Sequence, residues 1–235
     1  SDRLEKTFTS VNFNMMIMII YALITIAIFG MWYYARYEGN FLPSPKKTFN
    51  PMMIVAIVIL VPGTQFAANF IANLTGYIRP DWLQQYNELF ETSGITDTTF
   101  VTVLYSVILA PICEELIFRG VTMRCARKAL PFALANLMQA ALFGLFHLNW
   151  IQGIYAFALG IVLGYVCERG GSIYYSMGLH LLFNLWGTLS GFFPDPGNSV
   201  VVFVVVIVVT IVSLVAGFVL FNKGRRKLPI NSTGI

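Results

Sequence analysis

The sequence is poor in charged residues and has only two histidines. Charged residues make up 11% of the 235-residue chain and hydrophobic residues 57%, whereas a soluble domain has about 25% charged residues. This composition excludes an ordinary soluble domain. The alternation of polar and apolar residues that marks membrane β-barrel strands is missing too. The sequence therefore predicts an all-α, polytopic membrane bundle.

Long uncharged apolar runs indicate where the helices cross the membrane. A spanning helix needs about 20 mostly apolar residues, and the runs predict seven such helices. An eighth is expected only if residues 81–91 also enter the membrane. The predicted spans lie near residues 14–35, 51–74, 99–118, 131–148, 153–168, 172–190 and 199–221.

The runs also predict how one integral membrane domain, residues 1–235, is organised. Residues 1–98 would hold two spans and a connection, in which Asp81 to Phe90 forms an interfacial helix or a loop. Residues 99–190, with short turns, would form a catalytic four-helix core. Residues 191–235 would form a structural span and a basic tail. Paired small residues predict close helix packing, namely Gly160 with Gly164 and Gly187 with Gly191.

Cysteines are few and basic residues are confined to the ends of the apolar runs. Cys113, Cys125 and Cys167 are scattered, so neither a disulfide framework nor a zinc ribbon is expected. The net charge of +4 comes from basic residues that flank the runs, which argues against nucleic acid as a partner. These connections, from Lys46, Arg119–Lys128, Arg169 and the tail, are predicted to face the cytoplasm.

Several ionisable residues nevertheless lie inside the apolar runs. They are Glu114, Glu115, Arg119 and the chain's two histidines, His147 and His180. An ionisable group at the centre of a membrane helix costs about 2.5–3.5 kcal/mol on insertion scales. Residues kept at such a cost are expected to be functional.

Helical spacing assigns different tasks to the two glutamates. Glu115 and Arg119 are four residues apart, the spacing at which side chains meet on one face of a helix. We therefore expect them to form a structural ion pair. Glu114 points about 100° away and stays free to act as a general base.

The two histidines each have a partner four residues away. His147 follows Phe143 on one helical face, and His180 precedes Asn184. His180 and Asn184 would direct two hydrogen-bond donors toward one point, an arrangement suited to an oxyanion. The alternative is that they form a polar clamp between helices.

These three motifs together resemble the CAAX-protease and bacteriocin-processing family, also called the Abi or CPBP family of intramembrane endopeptidases. Glu-Glu-x-x-x-Arg, Phe-x-x-x-His and His-x-x-x-Asn occur in the family's order over about residues 100–190. The resemblance implies a bundle with a conical catalytic core and a metal-independent glutamate protease.

In that family pattern the motif residues have defined roles. The residues that match Glu114 and His147 activate water, and those that match His180 and Asn184 stabilise the oxyanion. Glu115 and Arg119 support the site. No cofactor is expected, and the substrate would be a membrane-associated peptide or lipidated protein.

Other functions remain open at this point. Two histidines and a glutamate could bind zinc, although the His-Glu-x-x-His arrangement is missing. A non-catalytic scaffold, a bacteriocin self-immunity protein and a proton-coupled transporter are further alternatives, but no inverted halves are visible. Cleavage of a peptide leader in a bacterial plasma membrane is the preferred prediction and prenyl-CAAX processing the next. The oligomeric state is left open.

Overall fold

A computed structural model describes residues 11–36, 49–93, 99–190 and 199–225, and these residues form helices joined by short connections. The helices are α1 (Val11–Arg36), α2 (Pro51–Ile78), α3 (Pro80–Ser93), α4 (Phe100–Ala126), α5 (Phe132–Phe146), α6 (Trp150–Gly170), α7 (Ile173–Ser190) and α8 (Val200–Arg225). The predicted all-α class is confirmed.

Five of the helices are long and apolar enough to cross a membrane, namely α1, α2, α4, α6 and α8. Helix α5 is a shorter apolar helix. Helix α7 has 18 residues, but His180, Asn184 and several hydroxyl side chains make it less apolar. The polytopic helical bundle is confirmed, whereas the count of seven to eight spans stays a prediction.

Helix α2 contributes to the main hydrophobic core. It packs against α6, α7 and α8, and the buried side chains of this core include Leu60, Leu163, Leu179 and Phe221. A second cluster joins α1 and α4 through the buried side chains of Tyr33, Leu116 and Met123. Together the two clusters fix α4 and α7, which carry most of the candidate catalytic residues.

Helix α4 is longer than the predicted span 99–118, because it continues to Ala126. Arg119 is therefore buried inside the helix rather than in a cytoplasmic connection, which corrects the sequence-based placement. Two stretches of α4, Leu104–Leu109 and Leu116–Met123, are π-helical. Such wide turns occur frequently at functional sites.

Pro111 explains one of the wide turns. Ala110 N–H bonds to the carbonyl of Tyr105, five residues earlier, and Pro111 has no N–H to offer. The carbonyl of Ser106 is consequently left without a donor from its own helix. It accepts a hydrogen bond from Asn184 of α7 instead.

A tight turn joins α5 to α6 and sets them antiparallel. Leu148 has a φ of 53°, in the left-handed region, and the Asn149 side chain caps α6 by accepting from Gln152 N–H at 3.1 Å. The turn brings the backbones of α5 and α6 together at Gly144 and Gly153.

The small-residue prediction has a mixed outcome. Gly160 and Gly164 lie against α5, where added Cβ atoms would meet Ala140 and Asn136 respectively. Gly187 has more room, since its nearest neighbour is the Gln65 side chain at 3.9 Å. Gly191 lies outside the described residues.

The predicted interfacial segment is a helix rather than a loop. Helix α3 contacts α2 and α6, and Trp82 stacks on Trp150 with ring centroids 5.3 Å apart. Arg79, just before α3, lies over the Trp82 ring at 4.2 Å. The aromatic stack therefore holds α3 beside the start of α6.

Replacing Gly144 with alanine should destabilise the bundle. The new Cβ would lie 2.5 Å from the carbonyl oxygen of Gly153, and a backbone atom cannot move aside without shifting a helix. Overpacking of this kind costs about 1–3 kcal/mol, measurable as a loss of thermal stability in detergent.

Gly178→Ala is the matched control, because nothing lies within 4 Å of its added Cβ. Alanine also has the higher helix propensity, so this variant should be at least as stable as the wild type. Equal unfolding temperatures for the two variants would contradict the close approach of α5 and α6.

Candidate active site

A fully buried ion pair lies at the centre of the site. Arg119 Nη1 donates to Glu115 Oε1 at 2.8 Å, and both side chains have 0% exposure. The guanidinium also lies 4.5 Å from the centre of the Phe143 ring, and Nη2 donates to the carbonyl of Gly160 at 3.3 Å. Arg119 thus connects α4 to α5 and α6.

Two amide side chains of α5, which the sequence reasoning missed, support this arrangement. Gln139 Nε2 donates to the same Gly160 carbonyl at 2.9 Å and to Asn136 Oδ1 at 2.7 Å. Asn136 Nδ2 donates in turn to the carbonyl of Ile161 at 3.0 Å. Their position in the uncharged run that ends at His147 was the signal that could have identified them.

His180 lies between the two glutamates. Its Nδ1 is 3.0 Å from Glu115 Oε1 and its Nε2 is 3.5 Å from Glu114 Oε2. Because Glu115 is already paired with a permanent cation, its carboxylate accepts a hydrogen bond from Nδ1–H. The ring therefore presents Nε2 to Glu114.

The cluster brings several ionisable groups together with little exposure to solvent. Two carboxyl groups, one guanidinium and one imidazole lie together, with the Glu114 side chain 16% exposed and His180 3%. Uncompensated charge is costly away from water.

Asn184 forms a hydrogen bond between helices. Its Nδ2 donates to the carbonyl of Ser106 at 2.8 Å, while His180 is engaged with the glutamates. The oxyanion role of His180 and Asn184 stays a prediction. The Asn184 amide has a second N–H that the hydrogen bond to Ser106 does not use.

His147 directly follows α5, and its ring packs against Phe143, which also contacts His180. Its ring centroid is 4.9 Å from that of Phe143, and the His180 ring centroid is 5.7 Å away from the same ring. Since Nδ1 is 2.8 Å from the Phe143 carbonyl, which can only accept, Nδ1 carries the proton. Nε2 is then the acceptor.

The family pattern has Glu114 and His147 activate water together, and this role stays a prediction. In the described residues neither an ion pair nor a hydrogen bond joins the two side chains. Glu114 lies near the middle of α4, whereas His147 is the residue that follows the last turn of α5.

The sequence reasoning did not identify two tyrosines within the electrostatic influence of Glu114, nor a third that hydrogen-bonds with one of them. The charge of Glu114 acts on Tyr105 of α4 and on Tyr155 of α6, and Tyr155 hydrogen-bonds with Tyr86 of α3. Burial raises the pKa of Tyr86, and this hydrogen bond opposes the shift. These phenols connect α3 to the surroundings of Glu114.

Within the described ranges, no group of three or more His, Cys, Asp or Glu side chains is arranged to hold a metal ion. The cysteines Cys113, Cys125 and Cys167 are free thiols. The prediction that the protein needs no cofactor stays a prediction.

The fold and site define a polytopic helical membrane protein with a buried Glu–His–Glu cluster held by arginine, in an arrangement suited to hydrolysis. A family model, the type II CAAX prenyl endopeptidase Rce1-like family, matches residues 96–186. The match covers the three motifs and confirms the family resemblance predicted from them. No curated protein and no solved structure matches the chain.

This match bears on the class of protein as well. The matched family is a protease family, and the match together with five long apolar helices supports an integral membrane protein.

Replacing Arg119 with alanine should destabilise the fold. It would leave Glu115 charged and buried without its cation, which typically costs about 3–5 kcal/mol. Thermal unfolding of the detergent-solubilised protein measures this loss. Arg79→Ala is the control, because Arg79 pairs with Asp81 at the surface, with side chains 47% and 52% exposed, and its removal should change stability little.

The double variant Glu115→Gln, Arg119→Met provides a second test. It removes both charges, so it should be more stable than Arg119→Ala. An Arg119→Ala protein as stable as Arg79→Ala would show that the buried pair does not support the fold.

Proposed function

We propose that the protein is an intramembrane endopeptidase that hydrolyses a peptide bond by means of Glu114, without a metal. The observation that carries this proposal is the position of His180, whose Nε2 is 3.5 Å from Glu114 while its Nδ1 is held by Glu115. Glu114 is the partly accessible member of the cluster, and Glu115 is the fully buried one.

The chemistry requires a group that takes a proton and later returns it. In the ionised form, the Glu114 carboxylate removes one proton from a water molecule as the water oxygen bonds to the substrate carbonyl carbon. The carbon–nitrogen bond then breaks, and the same proton passes to the leaving nitrogen. The second water proton leaves with the new carboxylic acid.

His180 supports both proton transfers. Its Nε2 can share a proton with Glu114, while Glu115 and Arg119 keep the ring oriented through Nδ1. The Glu115 carboxylate, hydrogen-bonded to Nδ1, stabilises the imidazolium form of His180, as a buried carboxylate does in other hydrolases. Glu115 and Arg119 are thus positioning residues, and Phe143 supports the ring from its edge.

One donor remains for the developing oxyanion, because the Asn184 amide has one N–H that does not bind Ser106. We assign His147 a role in water activation from the family pattern, with its Nε2 as the acceptor. In other enzymes, the removal of one preorganised donor of this type lowers kcat by roughly 10²–10³-fold, which corresponds to about 3 kcal/mol.

The substrate class follows from the family match and the membrane location. A membrane-associated peptide, such as a leader peptide, or a prenylated protein with a C-terminal CAAX sequence fits an Rce1-like protein. We favour peptide-leader cleavage in a bacterial plasma membrane.

Glu114→Gln should abolish cleavage while leaving the fold intact. Glutamine keeps the size of the side chain but cannot accept the proton from water, so turnover should fall by at least about 10²-fold. The measurement compares new peptide termini among small secreted and membrane peptides in membranes with wild-type or variant protein. Termini that require the wild type would also reveal the cleaved sequence.

Glu88→Gln is the matched control, since Glu88 is exposed on α3 and hydrogen-bonds with Gln84. It should give the wild-type set of termini. Identical termini for wild type and Glu114→Gln, at equal abundance of folded protein, would contradict the protease and favour a scaffold or a self-immunity protein.

A further inference from the structure

A cavity unrelated to the Glu–His–Glu cluster lies between the C-terminal ends of α6 and α8. It has a volume of about 480 Å³. Its lining combines aromatic, aliphatic and basic side chains: Tyr165, Arg169, Phe218, Val219, Asn222, Lys223 and Arg225. Three of these residues are cations, and none is a carboxylate.

The positive charges of these three residues are not paired with a carboxylate in the described part of the chain. Within the described part of the chain, Arg169, Lys223 and Arg225 make no ion pair. The nearest carboxylate in sequence, Glu168, is bound to Arg127 of the α4–α5 connection at 3.1 Å. Among the described residues, no carboxylate therefore neutralises the three positive charges that line this cavity.

Contacts among three of the lining residues, Tyr165, Phe218 and Asn222, hold them in place. The Tyr165 hydroxyl donates to Asn222 Oδ1 at 2.9 Å, and Asn222 Nδ2 donates to the Phe218 carbonyl at 2.9 Å. The Tyr165 and Phe218 rings meet edge to face at 5.4 Å. The cavity is thus a formed recess of the two helices.

One side of the cavity continues into an apolar surface. Val219 is 49% exposed, and Val208, Val212 and Val215 of α8 are each more than half exposed. This strip runs from the basic end of the helix toward the middle of the predicted span. It has the length and chemistry to lie along a hydrocarbon chain.

We propose that this cavity binds the head group of an anionic phospholipid. The phosphate would lie among Arg169, Lys223 and Arg225, and an acyl chain along the exposed valines of α8. Basic pockets between membrane helices on the cytoplasmic side are suited to phosphate-bearing head groups. A soluble phosphate ester has the same anionic group but cannot use the valine strip.

Two general effects also place cations at these helix ends. Lysine and arginine near a helix C-terminus interact favourably with the helix dipole, and cytoplasmic ends of spans are enriched in them. Both effects act on any cation at this end of the molecule, including Lys128, which does not line the cavity. Comparing cavity cations with Lys128 therefore separates a lipid site from general basic charge.

The test is native mass spectrometry of the purified protein with defined lipids. Wild type, Lys223→Gln, Arg169→Gln and the control Lys128→Gln are each incubated with phosphatidylglycerol or phosphatidylcholine, and the retained lipid is counted. We expect wild type and Lys128→Gln to retain phosphatidylglycerol in preference to phosphatidylcholine. Each cavity variant should bind phosphatidylglycerol roughly five-fold more weakly, as expected for one basic residue near a membrane surface.

Two results would overturn the proposal. Equal retention of phosphatidylglycerol by the cavity variants and Lys128→Gln would show that the cavity does not select the lipid. Full displacement of the lipid by millimolar inorganic phosphate would show that the valine strip contributes nothing and that a free phosphate is the ligand. Thermal unfolding without added lipid confirms that each variant is folded.

Discussion

The buried charge of Arg119 is the constraint on which the half of the molecule with the candidate site depends. A guanidinium with no exposure must be compensated, and Glu115 provides that compensation one helical turn away at 2.8 Å. Its remaining surface contacts Phe143 of α5 and the Gly160 carbonyl of α6. Satisfying one charge therefore fixes the relative positions of three helices.

The same pair determines the chemistry of its neighbours. Because Glu115 is ionised beside Arg119, it holds the Nδ1 proton of His180 and directs Nε2 toward Glu114. Glu114 is left as the one carboxyl group of the cluster without a permanent cation. The proposed catalysis thus follows from an asymmetry between two adjacent glutamates that differ in burial and in partners.

Sequence reasoning could predict the parts of this account that depend on helical spacing. The all-α membrane fold, the approximate spans and the Glu115–Arg119 pair follow from apolar runs and an i,i+4 spacing. The extension of α4 to Ala126 could not be predicted, because basic residues at 119–128 resemble the end of a span. The contacts between helices could not be predicted from the sequence either.

Asn184 and Gln139 illustrate why contacts between helices cannot be predicted from spacing alone. Asn184 binds Ser106 because Pro111 and a π-helical turn leave that carbonyl without a helical donor, and no spacing rule predicts a π-helical turn. Gln139 meets Arg119 at the Gly160 carbonyl only after α4, α5 and α6 have packed. The roles assigned to the catalytic residues remain predictions from the motifs and the family pattern.

The most direct measurement is the protonation of His180. The chain has two histidines, so ¹⁵N-histidine labelling of a His147→Gln variant gives the resonances of His180 alone. The account predicts a protonated Nδ1 at neutral pH and an Nε2 resonance that shifts when Glu114 is replaced by glutamine. An unprotonated Nδ1, or an Nε2 resonance that Glu114→Gln leaves unchanged, would contradict the shared proton on which the proposed catalysis depends.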